Sequence, residues 1–242
     1  MKIAAVQFKG VKGDWEASLE RLLPLVAHGV RRADLVVLPE MALTGYVFAD
    51  ADAVRAVSEP AEGPTLEALA PLARAGRAWV VAGFPERDGP RLYNSALVID
   101  PTGALAFTYR KTLLFEADLP WATPGDSGYR TFDTGVGRFG VGICMDLNDD
   151  RFTAWCREEA PDAVALCANW LDEDLDIWPY WAWRMTGAPG ALAVANTWGP
   201  EGALRFRGQS AVILGREVLA GAPVEGDGVV AAEVSPGRTQ GG

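Results

Sequence analysis

Three polar residues follow apolar segments that are typical of buried strands. Glu40 comes directly after DLVVLP, Lys111 follows LAFTYR, and Cys144 ends FGVGIC. Because α/β proteins build their sites at the carboxyl ends of parallel strands, we expect these three side chains to converge on one pocket. The alternative for Cys144 alone is a buried core cysteine, which is the interpretation we give to Cys156 and Cys167.

A glutamate, a lysine and a cysteine can carry out acyl transfer without a histidine. A free thiol has a pKa of about 8.5 and a free glutamate one of about 4.3, so proton transfer from Cys144 to Glu40 is uphill by about 6 kcal/mol. Burial raises the pKa of a glutamate, and a nearby ammonium lowers the pKa of a thiol. An ammonium between them, supplied by Lys111, would also stabilise an oxyanion. The set therefore indicates nucleophilic catalysis at a carbonyl carbon.

The histidine and lysine usage narrows the chemistry further. His28 is the one histidine, and we interpret it as a plain helix residue. This disfavours a structural zinc site, an HExxH metalloprotease and a metal-dependent amidohydrolase, so we predict no metal site. Lys111 lies far from the other lysines, in a chain that otherwise uses arginine. That position indicates a site that needs a compact ammonium, with a surface lysine as the plainer alternative.

Composition and charge set the broad class. The chain has 242 residues, 49% of them hydrophobic and 22% charged, so we predict one globular domain over residues 1–242. A formal charge of −10 argues against nucleic-acid or anionic-membrane partners. We find no apolar stretch long enough for a membrane span and no signal peptide. Three cysteines without a CxxC pair fit a reducing cytoplasm.

The elements that must position these residues alternate between strands and helices. A strand at 2–8, a helix at 15–32 and a strand at 34–38 open the chain, which indicates an α/β fold. The match to GxGxxG at 135–140 leads into a strand rather than a helix, so we interpret it as a turn. The C-terminal SPGRTQGG is predicted to be a loose tail. Further strands are predicted at 78–84, 92–99, 105–109, 136–144, 163–167, 191–196, 210–214 and 229–234, and further helices at 63–76, 150–159 and 177–185.

Three segments resemble, in order and spacing, the motifs of the nitrilase (carbon–nitrogen hydrolase) superfamily. They are LPEMALTGY, YRKTLLFEADLPWATPGD and GVGICMDLNDDRF. The resemblance extends over most of the chain and implies a four-layer α-β-β-α sandwich, a cysteine nucleophile, a glutamate base, a lysine and no cofactor. Carried onto this sequence, it makes Glu40, Lys111 and Cys144 the catalytic residues. It also makes the backbone N–H of Met145 a donor to the oxyanion.

The chain departs from the superfamily pattern at two positions near the lysine. Members usually carry a second glutamate between the lysine and a Pro-Gly turn. Alignment on Pro124 and Gly125 puts Asp118 at or beside that position, with Glu116 as the alternative. Many members also have a histidine two residues after the lysine, where this chain has Leu113.

A narrower resemblance concerns CMDLNDDRF, ANWLDEDLD and YWAWRM, which are similar to the branch containing protein N-terminal asparagine/glutamine amidases. We therefore predict a cysteine-dependent amidase that converts a small or N-terminal carboxamide to carboxylate and ammonia through a thioester. A nitrile-hydrolysing enzyme with the same triad and a catalytically silent binding protein on the same fold are the alternatives. The superfamily commonly pairs through one helical face, which implies a homodimer. The predicted substrate pocket contains Tyr46, Trp121, Asn169 and Trp170.

Two acidic loops follow the predicted site strands, after Cys144 and after Trp170. If both loops lie above one pocket, they could select an amide that bears a free α-amino group, because a carboxylate attracts an ammonium. The alternative is a solvated rim that only contributes to the negative charge. The acids concerned are Asp146, Asp149, Asp150, Asp172, Glu173, Asp174 and Asp176.

Overall fold

A computed structural model of the chain describes residues 1–235, so the predicted loose tail lies outside the described residues apart from Ser235. Five α-helices are present in this range: α1 Trp15–Val30, α2 Ala51–Val57, α3 Pro64–Gly76, α4 Asp150–Glu159 and α5 Trp178–Arg184. The strands are β1 Lys2–Gln7, β2 Leu35–Val37, β3 Trp79–Asp88, β4 Arg91–Ile99, β5 Leu105–Arg110, β6 Thr131–Asp133, β7 Arg138–Ile143, β8 Ala163–Ala168, β9 Ala191–Asn196, β10 Trp198–Glu201, β11 Leu204–Arg207, β12 Ala211–Leu214, β13 Glu217–Gly221 and β14 Gly228–Glu233.

Two six-stranded sheets form the centre of the fold. Their strand orders are β14-β1-β2-β3-β4-β5 and β13-β12-β9-β8-β7-β6. Each sheet contains three adjacent parallel strands, β1 to β3 in the first and β7 to β9 in the second. Antiparallel strands complete both sheets, and β10 and β11 form a separate hairpin. The carboxyl ends of the parallel strands are therefore available to carry a site.

Side chains alternate between the two faces of each strand, and both faces of the first sheet are buried. Ile3 and Val37 pack in the core between the sheets, whereas Val36 packs under the outer helices. Those helices contribute Leu22 from α1 and Leu69 from α3. With α4 and α5 on the outer face of the second sheet, the layers are helix, sheet, sheet and helix. The predicted four-layer α-β-β-α sandwich is confirmed.

Gly140, the last glycine of the GxGxxG match, and Gly142, two residues beyond it, let α4 pack closely on the second sheet. A Cβ on Gly140 would lie 2.9 Å from the Trp155 ring, and one on Gly142 would lie 2.7 Å from the Phe152 ring. The match begins with Gly135 in a left-handed turn at φ +81° and continues into β7. Its glycines therefore serve a turn and helix packing.

The sequence analysis missed several short elements: α2, β6, β13 and the hairpin β10–β11. Elements of three to seven residues carry too few apolar positions to show a period, which explains these misses. Within residues 1–235, no helix is both long and apolar enough to cross a membrane. A single domain over residues 1–242 stays a prediction.

Candidate active site

Glu40, Lys111 and Cys144 come from three strand ends that meet at one place between the sheets. Glu40 follows β2, Lys111 follows β5 directly, and Cys144 follows β7 directly. Gly83 of β3 makes room for the first of them, since a Cβ there would lie 2.5 Å from the Glu40 Cα. A larger residue at position 83 would push the glutamate out of place.

The Lys111 ammonium lies between two carboxylates. Its Nζ donates to Glu40 Oε1 over 2.7 Å and to Asp118 Oδ2 over 2.6 Å. All three side chains are fully buried. Glu116, the alternative predicted for the second acid, is exposed on the same loop. The structure therefore places Asp118 beside the lysine, and the shorter aspartate reaches it directly.

Asn94 is a component of the site that the sequence analysis missed. It lies within β4, and its Nδ2 donates to Glu40 Oε1 over 2.6 Å and to Asp118 Oδ1 over 3.1 Å. Two further donors reach Asp118, the Tyr46 hydroxyl at 2.9 Å and the Phe115 backbone N–H at 3.0 Å. Two adjacent polar residues, Asn94 and Ser95, inside a buried strand were the sequence signal that could have indicated it.

The two carboxylates differ in how completely they are hydrogen bonded. Asp118 accepts four hydrogen bonds, two on each oxygen, which fills the capacity of an ionised carboxylate. Glu40 accepts two on Oε1 and one on Oε2, from the Asn169 backbone N–H at 2.9 Å. Glu40 Oε2 therefore has room for one more hydrogen, so Glu40 can receive a proton in this geometry.

Burial and charge set the resting protonation states. Burial raises the pKa of Glu40, and the Lys111 ammonium opposes that effect. Burial by itself would lower the pKa of Lys111, but the charges of Glu40 and Asp118 hold that pKa above its ordinary value. The pKa of Cys144 is raised well above its ordinary value, by burial first and then by the charge of Glu40. Cys144 is therefore a neutral thiol at rest, facing an ionised lysine.

Cys144 lies at a strained turn between a strand and a short helix. Its φ is +41°, in the left-handed region, and it begins a 3-10 helix over Cys144–Asn148. This conformation costs a non-glycine residue about 1–2 kcal/mol, and such strain concentrates at functional sites. Met145 follows in the first turn, where backbone N–H groups have no partner within the helix.

Asp146 holds this turn against the loop that carries the lysine. Its carboxylate is fully buried and accepts from the backbone N–H groups of Ile143 at 2.9 Å and Leu113 at 2.8 Å. The Tyr109 hydroxyl at 2.7 Å and the Thr112 N–H at 3.0 Å complete four hydrogen bonds. The expectation that Asp146 belongs to an acidic rim is wrong, because its oxygens are fully used inside the protein.

A cavity of about 380 Å³ opens in front of Cys144. Asn169 and Trp170, two of the predicted pocket residues, line it. Tyr46 and Trp121 do not line it among the described residues. They are buried in a separate apolar cluster behind the lysine, where the Tyr46 hydroxyl binds Asp118. Tyr46 therefore supports the ionised cluster through Asp118, and a place for Tyr46 and Trp121 in the substrate pocket stays a prediction.

Two acids of the predicted rim face the cavity, Glu173 and Asp176. Among the described lining residues there is no lysine or arginine, so the cavity favours positive charge. The remaining acids do not line it: Asp149 pairs with Arg151, Asp150 with Arg184, Asp172 with Arg205 and Arg207, and Asp174 is exposed. Within residues 1–235, no cluster of His, Cys, Asp or Glu is arranged to hold a metal ion.

Comparison with known proteins shows which family the chain resembles. A family model for carbon-nitrogen hydrolases matches residues 2–241. The chain is 34% identical over 225 residues to a nitrilase of Pyrococcus abyssi, covering 88% of this chain and 80% of that protein. It is 29% identical over 206 residues to the protein N-terminal amidase of Saccharomyces cerevisiae, covering 71% of this chain. That alignment covers 45% of the yeast protein, so the chain spans about half the length of this relative.

A solved structure of an N-terminal amidase with an Asn-Glu-Ala peptide has the same fold. Its TM-score with this chain is 0.84, and 97% of each chain is covered at 18% sequence identity. At that identity the likeness concerns the fold alone.

Proposed function

Because this chain belongs to the carbon–nitrogen hydrolase family, we propose that it is a cysteine-dependent amidase. It converts a small or N-terminal carboxamide to the carboxylate and ammonia through a thioester on Cys144. The main support is one arrangement: Cys144 faces the cavity while a buried glutamate with a free acceptor position and a buried ammonium lie behind it.

Acylation needs a proton acceptor and a group that stabilises the oxyanion. Cys144 Sγ attacks the amide carbon as its proton passes to Glu40 Oε2, and the carbonyl electron pair moves to oxygen. An ammonium has three donors, and Lys111 uses two of them on Glu40 and Asp118. The third donor and the Met145 N–H stabilise the oxyanion. Glu40 then protonates the nitrogen, the C–N bond breaks, and ammonia leaves.

Deacylation uses the same residues in the reverse sense. Glu40 takes a proton from a water molecule as the water oxygen attacks the thioester carbon. The tetrahedral species collapses, the C–S bond breaks, and Glu40 returns the proton to Cys144 Sγ. Asp118 does not take part in proton transfer, because its four acceptor positions are filled. Its part is to keep Lys111 charged and in place.

The cavity favours an amide substrate that also carries a positively charged group. Glu173 and Asp176 line the cavity together with Trp170. A carboxylate about 4 Å from a bound ammonium contributes about 1 kcal/mol in water and several times that when partly desolvated. This supports an N-terminal asparagine or glutamine as substrate, and one relative is a protein N-terminal amidase. If the two acids are only a solvated rim, a neutral amide will be hydrolysed equally well.

Nitrile hydrolysis is the second candidate, because one relative is a nitrilase. The same Cys144 thiol would attack the nitrile carbon to form a thioimidate, and its proton would pass through Glu40 to the nitrile nitrogen. The donors that face the amide oxygen would then stabilise charge on that nitrogen, so the site geometry accepts both reactions. A silent binding protein is the third reading. Against it stands the hydrogen-bonded pair of Glu40 and Lys111, buried beside the Cys144 thiol, since binding alone does not require a buried base beside a thiol.

A panel of substrates separates these candidates. Ammonia release is measured with an N-terminal asparagine peptide, an N-terminal glutamine peptide, a neutral aliphatic amide and the matching nitrile. Amide turnover with hydroxamate formation in added hydroxylamine supports a thioester amidase. Turnover of the nitrile alone would favour the nitrilase, and no turnover together with tight amide binding would favour the silent protein. A cytoplasmic homodimer stays a prediction, and measuring the mass in solution tests the dimer.

A further inference from the structure

Both hydrogens of the Asn94 amide are used by the carboxylates of the site. Nδ2 lies 2.6 Å from Glu40 Oε1 and 3.1 Å from Asp118 Oδ1. The reverse orientation of the amide would put its oxygen against two carboxylate oxygens, so chemistry fixes the assignment. The Asn94 backbone also contacts the site, because its carbonyl accepts from the Lys111 N–H over 2.9 Å.

We propose that Asn94 is a positioning residue for the reaction, in that it fixes Glu40 through Oε1 and so leaves Oε2 aimed at the Cys144 proton. Glu40 Oε1 is occupied by Asn94 and Lys111, and rotation of the carboxylate would break both bonds. The Asn169 N–H holds Oε2 from one side, and one acceptor direction is left. This inference rests on the proposed amidase function.

The carbonyl oxygen of the Asn94 side chain shows that an asparagine at this position is not the best choice for stability alone. Asn94 Oδ1 is buried and has no hydrogen-bond partner among the described residues. A buried carbonyl without a partner destabilises a fold, and an apolar residue of the same shape would avoid that cost. The amide is therefore explained better by what its two N–H groups hold than by packing.

Asn94 also changes the charge balance around Glu40. Glu40 and Asp118 are two carboxylates that share one ammonium, so each raises the cost of ionising the other. The amide gives each of them one hydrogen bond that stabilises the ionised form. Its loss must therefore raise the pKa of Glu40. The titratable groups that face Glu40 are Lys111, Asp118, Cys144, Tyr46, Cys167 and, across a small pocket, Glu201.

The test compares Asn94→Leu and Asn94→Ala with Ser95→Ala. Ser95 is the next residue of β4, is equally buried, and donates to the Glu86 carboxylate over 2.6 Å on the other face of the strand. Each variant is examined for kcat, KM and the pH dependence of kcat/KM, with thermal unfolding as the check on folding. Asn94→Leu keeps the number and branching of the side-chain heavy atoms and is used if Asn94→Ala fails to fold.

We expect both Asn94 variants to lose about 10-fold or more in kcat with KM little changed. The pH at which kcat/KM falls on acidification, the acid limb of the profile, should rise by about one unit. Ser95→Ala should lose stability without moving the limb. An unmoved limb in both Asn94 variants, with losses no greater than that of Ser95→Ala, would overturn the proposal.

A second readout separates this inference from the proposed function. Alkylation of Cys144 by iodoacetamide needs the proton transfer to Glu40 but breaks no C–N bond. The rate of this alkylation is measured against pH. If its acid limb is shifted in Asn94→Leu while the parent chain hydrolyses no amide, the positioning role is supported and the amidase is rejected. Amide hydrolysis with unshifted limbs in both assays would reject the positioning role and keep the amidase.

Discussion

The carboxylates behind Cys144 and those in front of it differ in their hydrogen bonding. The rear cluster, defined as Glu40, Asn94, Lys111 and Asp118, is fully buried, and its two carboxylates accept seven hydrogen bonds in all. The front rim, defined as Glu173 and Asp176, lines an open cavity with no lysine or arginine among the described lining residues. In the proposed mechanism the rear cluster fixes proton transfer. In the front rim, Asp176 Oδ1 accepts from the Trp178 N–H at 3.2 Å and from Gln209 Nε2 at 3.4 Å, and the rim carboxylates keep other acceptor positions for a charge on the substrate.

Substitutions in the two regions should have different effects. Changes to the nucleophile or the rear cluster should act on kcat, on stability and on the pH profile, because these groups are buried and interdependent. Changes to the front rim should act on KM and on salt dependence, because these groups are solvated until a substrate binds.

The largest effect is expected from Cys144→Ala. We expect kcat to fall by about 10⁴-fold or more, because the nucleophile of the reaction is removed. The melting temperature should change little, since one small side chain at a strained turn is lost. Steady-state ammonia release and thermal unfolding measure the two quantities. A variant that keeps most of its activity would show that another residue carries the chemistry.

The next largest effect is expected from Lys111→Ala. Two buried carboxylates lose their shared counter-charge, so the free energy of unfolding should fall by about 3–5 kcal/mol and turnover should be lost. Lys111→Arg should be nearly as damaging to turnover, because a planar guanidinium cannot occupy a site built for a compact ammonium. Denaturant unfolding with parallel kinetics measures both effects. Near-normal kinetics for Lys111→Arg would place the lysine outside the reaction.

The pH profile should distinguish the members of the rear cluster. Glu40 must be ionised to act as a base, and burial raises its pKa, so kcat/KM should fall on acidification at a pH above the value of about 4.3 for an ordinary glutamate. Asp118→Asn removes a negative neighbour and leaves Lys111 to Glu40 alone. Its acid limb should therefore move to lower pH, opposite to the shift expected on loss of Asn94. If the acid limbs of the Asp118→Asn and Asn94 variants move in the same direction, the effects assigned to Asp118 and Asn94 on the pKa of Glu40 are wrong.

The smallest effect is expected at the front rim. Glu173→Gln and Asp176→Asn should reduce the preference for an amide with a free α-amino group by about 3- to 10-fold, mainly through KM and mainly at low salt. Asp174→Asn is the matched control, an exposed acid of the same loop that does not line the cavity. Equal preferences in the parent chain and both rim variants would discard recognition of the amine.

Sequence alone could predict the residues that stand in motifs. Glu40, Lys111 and Cys144 follow apolar segments whose order fixes three strand ends, and the structure brings these ends together. The superfamily pattern, aligned on the Pro-Gly turn, left Asp118 and Glu116 as alternatives, and the structure places Asp118 against Lys111. Local patterns carried this information because each residue lies next to the strand that delivers it.

The rest depends on contacts between distant segments. Asn94 is 54 residues from Glu40, and nothing in the β4 pattern shows which carboxylate its amide faces. Asp146 looked like a rim acid because composition cannot distinguish a solvated carboxylate from one that accepts four internal hydrogen bonds. Tyr46 and Trp121 are near the motifs in sequence, yet they pack behind the lysine.

The proposed mechanism requires Cys144 to carry the acyl group between two half-reactions. Rapid quenching in acid during turnover of a small amide, followed by peptide mass spectrometry, measures this directly. We expect an added acyl mass on the peptide that contains Cys144, absent from the peptides with Cys156 and Cys167. This adduct should disappear when hydroxylamine is added before the quench. Steady hydrolysis of the amide with Cys144 unmodified at every quench time, and undiminished in Cys144→Ala, would contradict it.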